Sequence, residues 1–129
     1  MPIAVSWDNP EKTILRYDYQ GRWTWDEYFK INEEGVSLIA SVAHRVDTIS
    51  NMKPGMMPVS GSGMSSAKAA LRKLPSNAGI IVVVTNSLAN ALLKAIKQYD
   101  RDLGAKFRGA TSIDEARTII EREVREPSH

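Results

Sequence analysis

The sequence predicts an α/β protein with a mostly parallel sheet, an antiparallel hairpin at its start and helices flanking it. Three observations carry this. Ile3–Asp8 and Thr13–Gln20 each alternate apolar and polar residues, the period of half-buried strands. Ile80–Val84 is an uninterrupted β-branched run, IIVVV, which suits a strand buried on both faces. Capping boxes, Thr24 with Glu27 and Ser112 with Glu115, start helices between the strand-like stretches.

The elements follow in order. IAVSWD (Ile3–Asp8) and TILRYDYQ (Thr13–Gln20) flank the turn chemistry of NPEK and read as a hairpin. Gly21 and Arg22 lead into a helix capped by Thr24, with Trp23 and Tyr28 at the spacing of a hydrophobic staple. Trp25, Tyr28, Phe29, Val36, Ile39 and Val42 share one face of it. Gly35 inside this helix costs about 1 kcal/mol against alanine, which points to a close neighbour.

Arg45–Ser50 is the next strand. NMKPGMMPVSGSGM, Asn51–Met64, is too rich in proline and glycine for regular structure. Ser65 or Ser66 then caps a helix through Leu74, which PSNAG ends. IIVVVTN forms the central strand. Asn86 or Ser87 caps a longer helix burying Leu88, Leu92, Ala95, Ile96, Tyr99 and Leu103, with Gly104 at its left-handed end. KFRGA is a brief strand. The last helix buries Ile113, Ala116, Ile120 and Val124. The order β-β-α-β-α-β-α-β-α implies right-handed crossovers and one domain over residues 1–126, with a disordered tail at 127–129.

Composition narrows the function. The chain has no cysteine, so disulfides, thiolate metal sites and cysteine nucleophiles are excluded and a cytoplasmic location is expected. A formal charge of +2, with acids and bases interleaved as in DEARTIIEREVRE, lacks the basic stripe of a nucleic-acid protein. The N-terminus lacks the pattern of a signal peptide, and no apolar run is long enough to span a bilayer. No nucleic-acid partner, membrane span, metal or cofactor is expected.

Ligands of open α/β sheets bind beyond the carboxyl ends of the strands. Four connections fall there: Gly21–Trp25, Asn51–Ser66, Thr85–Ser87 and Gly109–Ser112. The second is the longest and runs into a helix N-terminus, where backbone N–H groups favour an anion. GSGMSS lacks the third glycine of a dinucleotide loop and the lysine of a phosphate-binding loop. A serine nucleophile needs a positioned base, and the two histidines, His44 at a strand start and His129 at the terminus, offer none. No enzymatic activity is expected. The candidate contact residues are Trp23, Trp25, Met56, Met57, Gly61, Gly63, Met64, Asn86 and Ser87. The methionines have two readings: an adaptable surface for a partner or lipid-like ligand, or side chains folded onto the core.

The element order, together with SGM at Ser62–Met64 and the WTWDE helix start, resembles the STAS domains of bacterial anti-anti-sigma factors. In that family a serine just before a glycine, at the start of the helix after the third strand, is phosphorylated by a partner kinase, which releases the partner. The resemblance implies a bacterial regulatory protein that binds an anti-sigma factor or kinase, with Ser62 as the phosphorylation candidate and Ser60, Ser65 and Ser66 as weaker ones. The family's aspartate position holds Ser60 here and its first hydroxyl position holds Gly61. The same edge suits a second function, carriage of a small apolar or lipid-like molecule between Trp23, Trp25, Met56, Met57 and Met64. The hairpin's outer edge, if uncovered, would allow a homodimer.

Overall fold

The computed structural model describes residues 2–52, 55–56, 69–70, 72–85, 98, 101 and 105–125. The hairpin forms as the alternation predicts: β1 (Ile3–Trp7) pairs antiparallel with β2 (Ile14–Tyr19). Asn9 organises the turn. Its side-chain oxygen accepts from the Thr13 and Ile14 N–H groups, both at 3.1 Å, and Lys12 takes a left-handed φ of 59°. Next come β3 (Gly21–Arg22), α1 (Trp25–Ala40), β4 (Val46–Asn51), β5 (Gly55–Met56), β6 (Ala78–Val84), β7 (Phe107–Ala110) and α2 (Ile113–Arg125).

Strands β1-β2-β4-β6-β7 form a five-stranded sheet, antiparallel at β1–β2 and parallel elsewhere, as the element order predicts. β6 is interior, although β4 holds the middle place. β6 also starts two residues earlier than the apolar run suggests. The two faces carry separate cores. Ile3, Leu15, Tyr17, Tyr19, Trp23, Ile31, Ile39 and Val46 pack on the α1 side. Ile49, Ile80, Val82, Val84, Ala110, Ala116 and Ile120 form the other cluster, which includes α2.

α1 begins as its sequence demands. Glu27 N–H donates to the Thr24 hydroxyl at 3.1 Å, Thr24 N–H donates to the Glu27 carboxylate at 3.0 Å, and the Trp23 and Tyr28 rings lie 5.9 Å apart. Its buried stripe is Ile31, Asn32, Gly35 and Ile39; of the residues expected on that face, only Ile39 is fully buried. Asn32, polar by type, gives no sign of this in the sequence. It is buried because the Tyr17 hydroxyl donates to its side-chain oxygen at 3.3 Å. Gly35 has the expected close neighbour, since a Cβ there would overlap that hydroxyl. Below the helix, Asn77 Nδ2 donates to the carbonyls of Ile39, Val42 and His44 at 2.9–3.1 Å, satisfying groups left open by the end of α1.

Several expectations are corrected. Gly55–Met56, inside the segment expected to be irregular, forms β5, because Gly21–Arg22 offers a parallel partner. Arg72 and Lys73 form a turn, so the helix at Ala69–Ala70 does not run through Leu74. Ala105 is still helical, one residue past the stop expected at Gly104. His44 lies in the bend before β4. Ser112 caps α2 through the Glu115 N–H at 3.1 Å, but the Glu115 carboxylate accepts from the Thr111 hydroxyl at 3.0 Å. Val124 is 53% exposed, because it faces a cleft between α2, the hairpin turn and the start of β4. Residues 127–129, and the buried positions expected between 88 and 103, lie outside the described residues.

Candidate functional site

β2, β4, β6 and β7 run parallel, so their carboxyl ends meet at one edge. There, β3 and β5 form a second, two-stranded parallel sheet with Gly21 opposite Gly55 and Arg22 opposite Met56. This small ladder fastens the connection after β2 to the connection after β4. Gly21 makes it possible by adopting φ of 60°, a left-handed turn that glycine takes without strain. Arg22 stands exposed beside it.

Behind the ladder lies a run of rings. Trp23 is 4% exposed and packs against Tyr19, Trp25 and Tyr28 at centroid distances of 5.2, 5.0 and 5.9 Å. Trp25 meets Tyr28 edge-on at 5.6 Å, and Phe29 continues the run at 5.8 Å. Edge-to-face contacts of this kind add to the area the rings bury. Burial pushes the Tyr28 phenol up to about 12 and raises the Tyr17 and Tyr19 phenols as well, so all three are neutral at physiological pH. The Nε1 groups of Trp23 and Trp25 are buried and have no acceptor among the described residues. Buried N–H groups of this sort are usually paired.

The entrance to the long connection is held in place. Asn51 Nδ2 donates to Asp18 Oδ1 at 2.9 Å, and Arg16 Nε donates to the same oxygen at 3.1 Å. Met52 packs against the α1-side core, and its N–H donates to the Val84 carbonyl at 2.9 Å. For this methionine, folding onto the core is the observed state. Trp23, Trp25 and the Met56 backbone therefore share one rim. Met57, Ser60, Gly61, Ser62, Gly63, Met64, Ser65, Ser66, Asn86 and Ser87 lie outside the described residues.

The opposite, amino-terminal edge carries a feature with no sequence signal. A cleft of about 660 Å³ opens between the hairpin turn, the start of β4 and α2. Its walls contain two charge clusters. Arg117 Nε and Nη2 each donate to a different Asp8 oxygen at 2.9 Å, and Arg16 approaches Asp8 at 3.5 Å. Arg117 thereby holds the Asp8 carboxyl below the usual carboxylate range, and its own guanidinium is held above its usual value. Asp47 is buried, and its Oδ1 accepts from Arg45 Nε and Nη2 at 3.0 and 2.9 Å and from Ile80 N–H at 2.8 Å. The ladder between β4 and β6 shifts register beside Asp47, and the carboxylate satisfies an N–H at that irregularity. Aspartates engaged in this way hold elements together. Asp8 and Arg117 stand 109 residues apart, so no local pattern could have paired them. His44, also at this cleft, is exposed, with Nε2 2.8 Å from the Lys12 carbonyl.

Among the described residues, no group of three or more metal-ligating side chains converges, and no helix is long and apolar enough to cross a membrane. No family model and no curated protein matches the sequence. Among solved structures, the chain is similar to the anti-sigma factor antagonist SpoIIAA in its unphosphorylated form. The two share 15% identity and superpose with a TM-score of 0.58, over 98% of this chain and 99% of that one. Coverage of that extent, with a hairpin leading into an otherwise parallel sheet, shows that the chain has the STAS-like fold of that antagonist.

Proposed function

We propose that the protein is a non-catalytic cytoplasmic regulator that binds a protein partner through the carboxyl edge of its sheet, and that phosphorylation of Ser62 switches this binding. One observation carries the reading: the β3–β5 ladder fastens the Trp23–Trp25 connection to the segment that leads on to Ser62. A partner meeting one would meet the other. The shared fold with an anti-sigma factor antagonist supports a regulatory role of the same class, with an anti-sigma factor or kinase as the partner. A phosphate carries close to two negative charges at neutral pH and would repel an acidic or apolar surface fitted to the unmodified rim.

The test is affinity capture from cells with the wild-type chain, Ser62→Ala and Ser62→Glu, combined with intact-mass measurement of the isolated protein. The expected result is one partner held by wild type and Ser62→Ala and lost by Ser62→Glu, with a phosphorylated fraction of the wild type only. Equal capture by all three forms would remove the switch, and no capture by any would remove the binding role.

The carrier function keeps one specific support, the two unpartnered indole N–H groups at the same rim. They favour a ligand with hydrogen-bond acceptors as well as apolar surface. Native mass spectrometry of freshly purified protein distinguishes it. A retained small molecule that quenches or shifts tryptophan fluorescence supports a carrier, and a clean apoprotein mass rejects it.

A further inference from the structure

The two edges of the five-stranded sheet differ in protection. At β7, Arg108 folds back on its own strand, and its Nη1 donates to the carbonyls of Phe107 and Ala105 at 2.9 and 2.8 Å. A charged side chain lying over edge carbonyls discourages another strand from docking. At β1, the opposite edge, no described residue plays a comparable part. IAVSW contains no charge and no proline, and Pro2 precedes it. Among the described residues no strand pairs with its outer side.

The hydrogen-bond parity of β1 follows from the bonds at its two ends. Gln20 N–H donates to the Pro2 carbonyl at 2.7 Å, and Asp8 N–H donates to the Ile14 carbonyl at 2.8 Å. In an antiparallel ladder, bonded residues alternate, so Ala4 and Ser6 also turn their backbone groups toward β2. Ile3, Val5 and Trp7 then present their N–H and C=O groups outward. Their side chains lie on the α1 face, where Val5 and Trp7 are only half-buried.

We infer that β1 is a self-pairing surface, joining two copies antiparallel about a two-fold axis at Val5. In that register Val5 faces Val5 of the second copy, and Ile3 faces Trp7. Each outward N–H of one copy meets an outward carbonyl of the other, leaving none of the three residues unpaired. On the α1 face, the half-buried Val5 and Trp7 side chains extend the existing apolar row across the junction, while Ile3 is already buried within its own copy. On the other face Ala4 stands opposite Ser6, both exposed and small, so no side chain obstructs approach. No charge opposes a like charge. A second copy is favoured over an unrelated strand because this register satisfies both backbone and side chains with the chain's own sequence.

The surface is tested by analytical ultracentrifugation over a wide concentration range, with circular dichroism to show that each variant is folded. Wild type is expected to dimerise. A4K/S6K sets lysines opposite one another across the junction, at close non-hydrogen-bonded positions, and is expected to weaken dimerisation about tenfold or more. A4K/S6E instead sets a lysine of each copy opposite a glutamate of the other and is expected to dimerise like wild type or better. Should A4K/S6K fail to fold, hydrogen exchange on the wild type decides: the Ile3, Val5 and Trp7 amides gain protection as concentration rises. A wild type that stays monomeric throughout, A4K/S6K dimers as tight as wild type, or unprotected β1 amides in a dimer would each overturn the inference.

Discussion

Arg22 lies opposite Met56 in a two-residue parallel ladder, and this pairing joins two chain connections that the sequence separates by an entire helix and strand. Gly21, at φ of 60°, sets the turn that delivers Arg22 to it, and open space surrounds the position of its missing Cβ. A β-branched residue would meet backbone strain alone. Gly21→Val is expected to cost about 1–2 kcal/mol in urea unfolding. It should also alter tryptophan fluorescence, because Trp23 follows directly. An unchanged midpoint would show that the ladder contributes nothing to the rim.

The Tyr17 hydroxyl occupies the space a side chain at Gly35 would need. Gly35→Ala should therefore destabilise by about 1–3 kcal/mol through overpacking, despite alanine's better helix propensity. Tyr17→Phe relieves the tightest overlap, leaving Cζ of the ring 2.7 Å from the position of that Cβ, and also removes the donor to Asn32. The double variant should be more stable than the sum of the single effects predicts, by about 0.5 kcal/mol or more. Simple additivity in denaturant melts would refute the contact.

The Asp8–Arg117 pair predicts a pH dependence with a definite sign. Asp8 has its folded-state pKa lowered from 3.8, first by the Arg117 hydrogen bonds. Its contribution is fully present above the unfolded value and is lost as pH falls through the folded one. Stability should fall on acidification below about pH 4 more steeply in wild type than in Asp8→Asn. Arg117→Ala leaves the shielded carboxylate without its main partner and should cost about 1–3 kcal/mol at neutral pH, measured by thermal or urea unfolding. Parallel acid titrations of wild type and Asp8→Asn would contradict the assignment.

A Cβ at Gly79 would overlap the Asp47 carboxylate and crowd Arg45 Nε. Gly79→Ala should displace that carboxylate from the Ile80 N–H, with a loss of about 1–3 kcal/mol for the orphaned donor. Amide exchange at Ile80 reads this directly and should accelerate. Protection equal to wild type would show that the bulge needs no side-chain acceptor.

Local chemistry alone determined a large part of this protein. Period-two alternation placed β1 and β2, the β-branched run placed β6, and Thr24 with Glu27 set the start of α1, because each signal acts between residues a few positions apart. Gly35 even announced its close neighbour. Tertiary structure decided what depends on residues far apart in sequence. Asn32 is buried because Tyr17 comes to meet it, and Asp8 finds Arg117 only once α2 packs on the sheet. Gly55–Met56 becomes a strand because Gly21–Arg22 is presented alongside. A strand needs a partner to satisfy its backbone, whereas a capped helix turn satisfies its own. For that physical reason the helix start could be read from the chain and the shared rim from the strand order, whereas the β3–β5 ladder that joins the two connections could not.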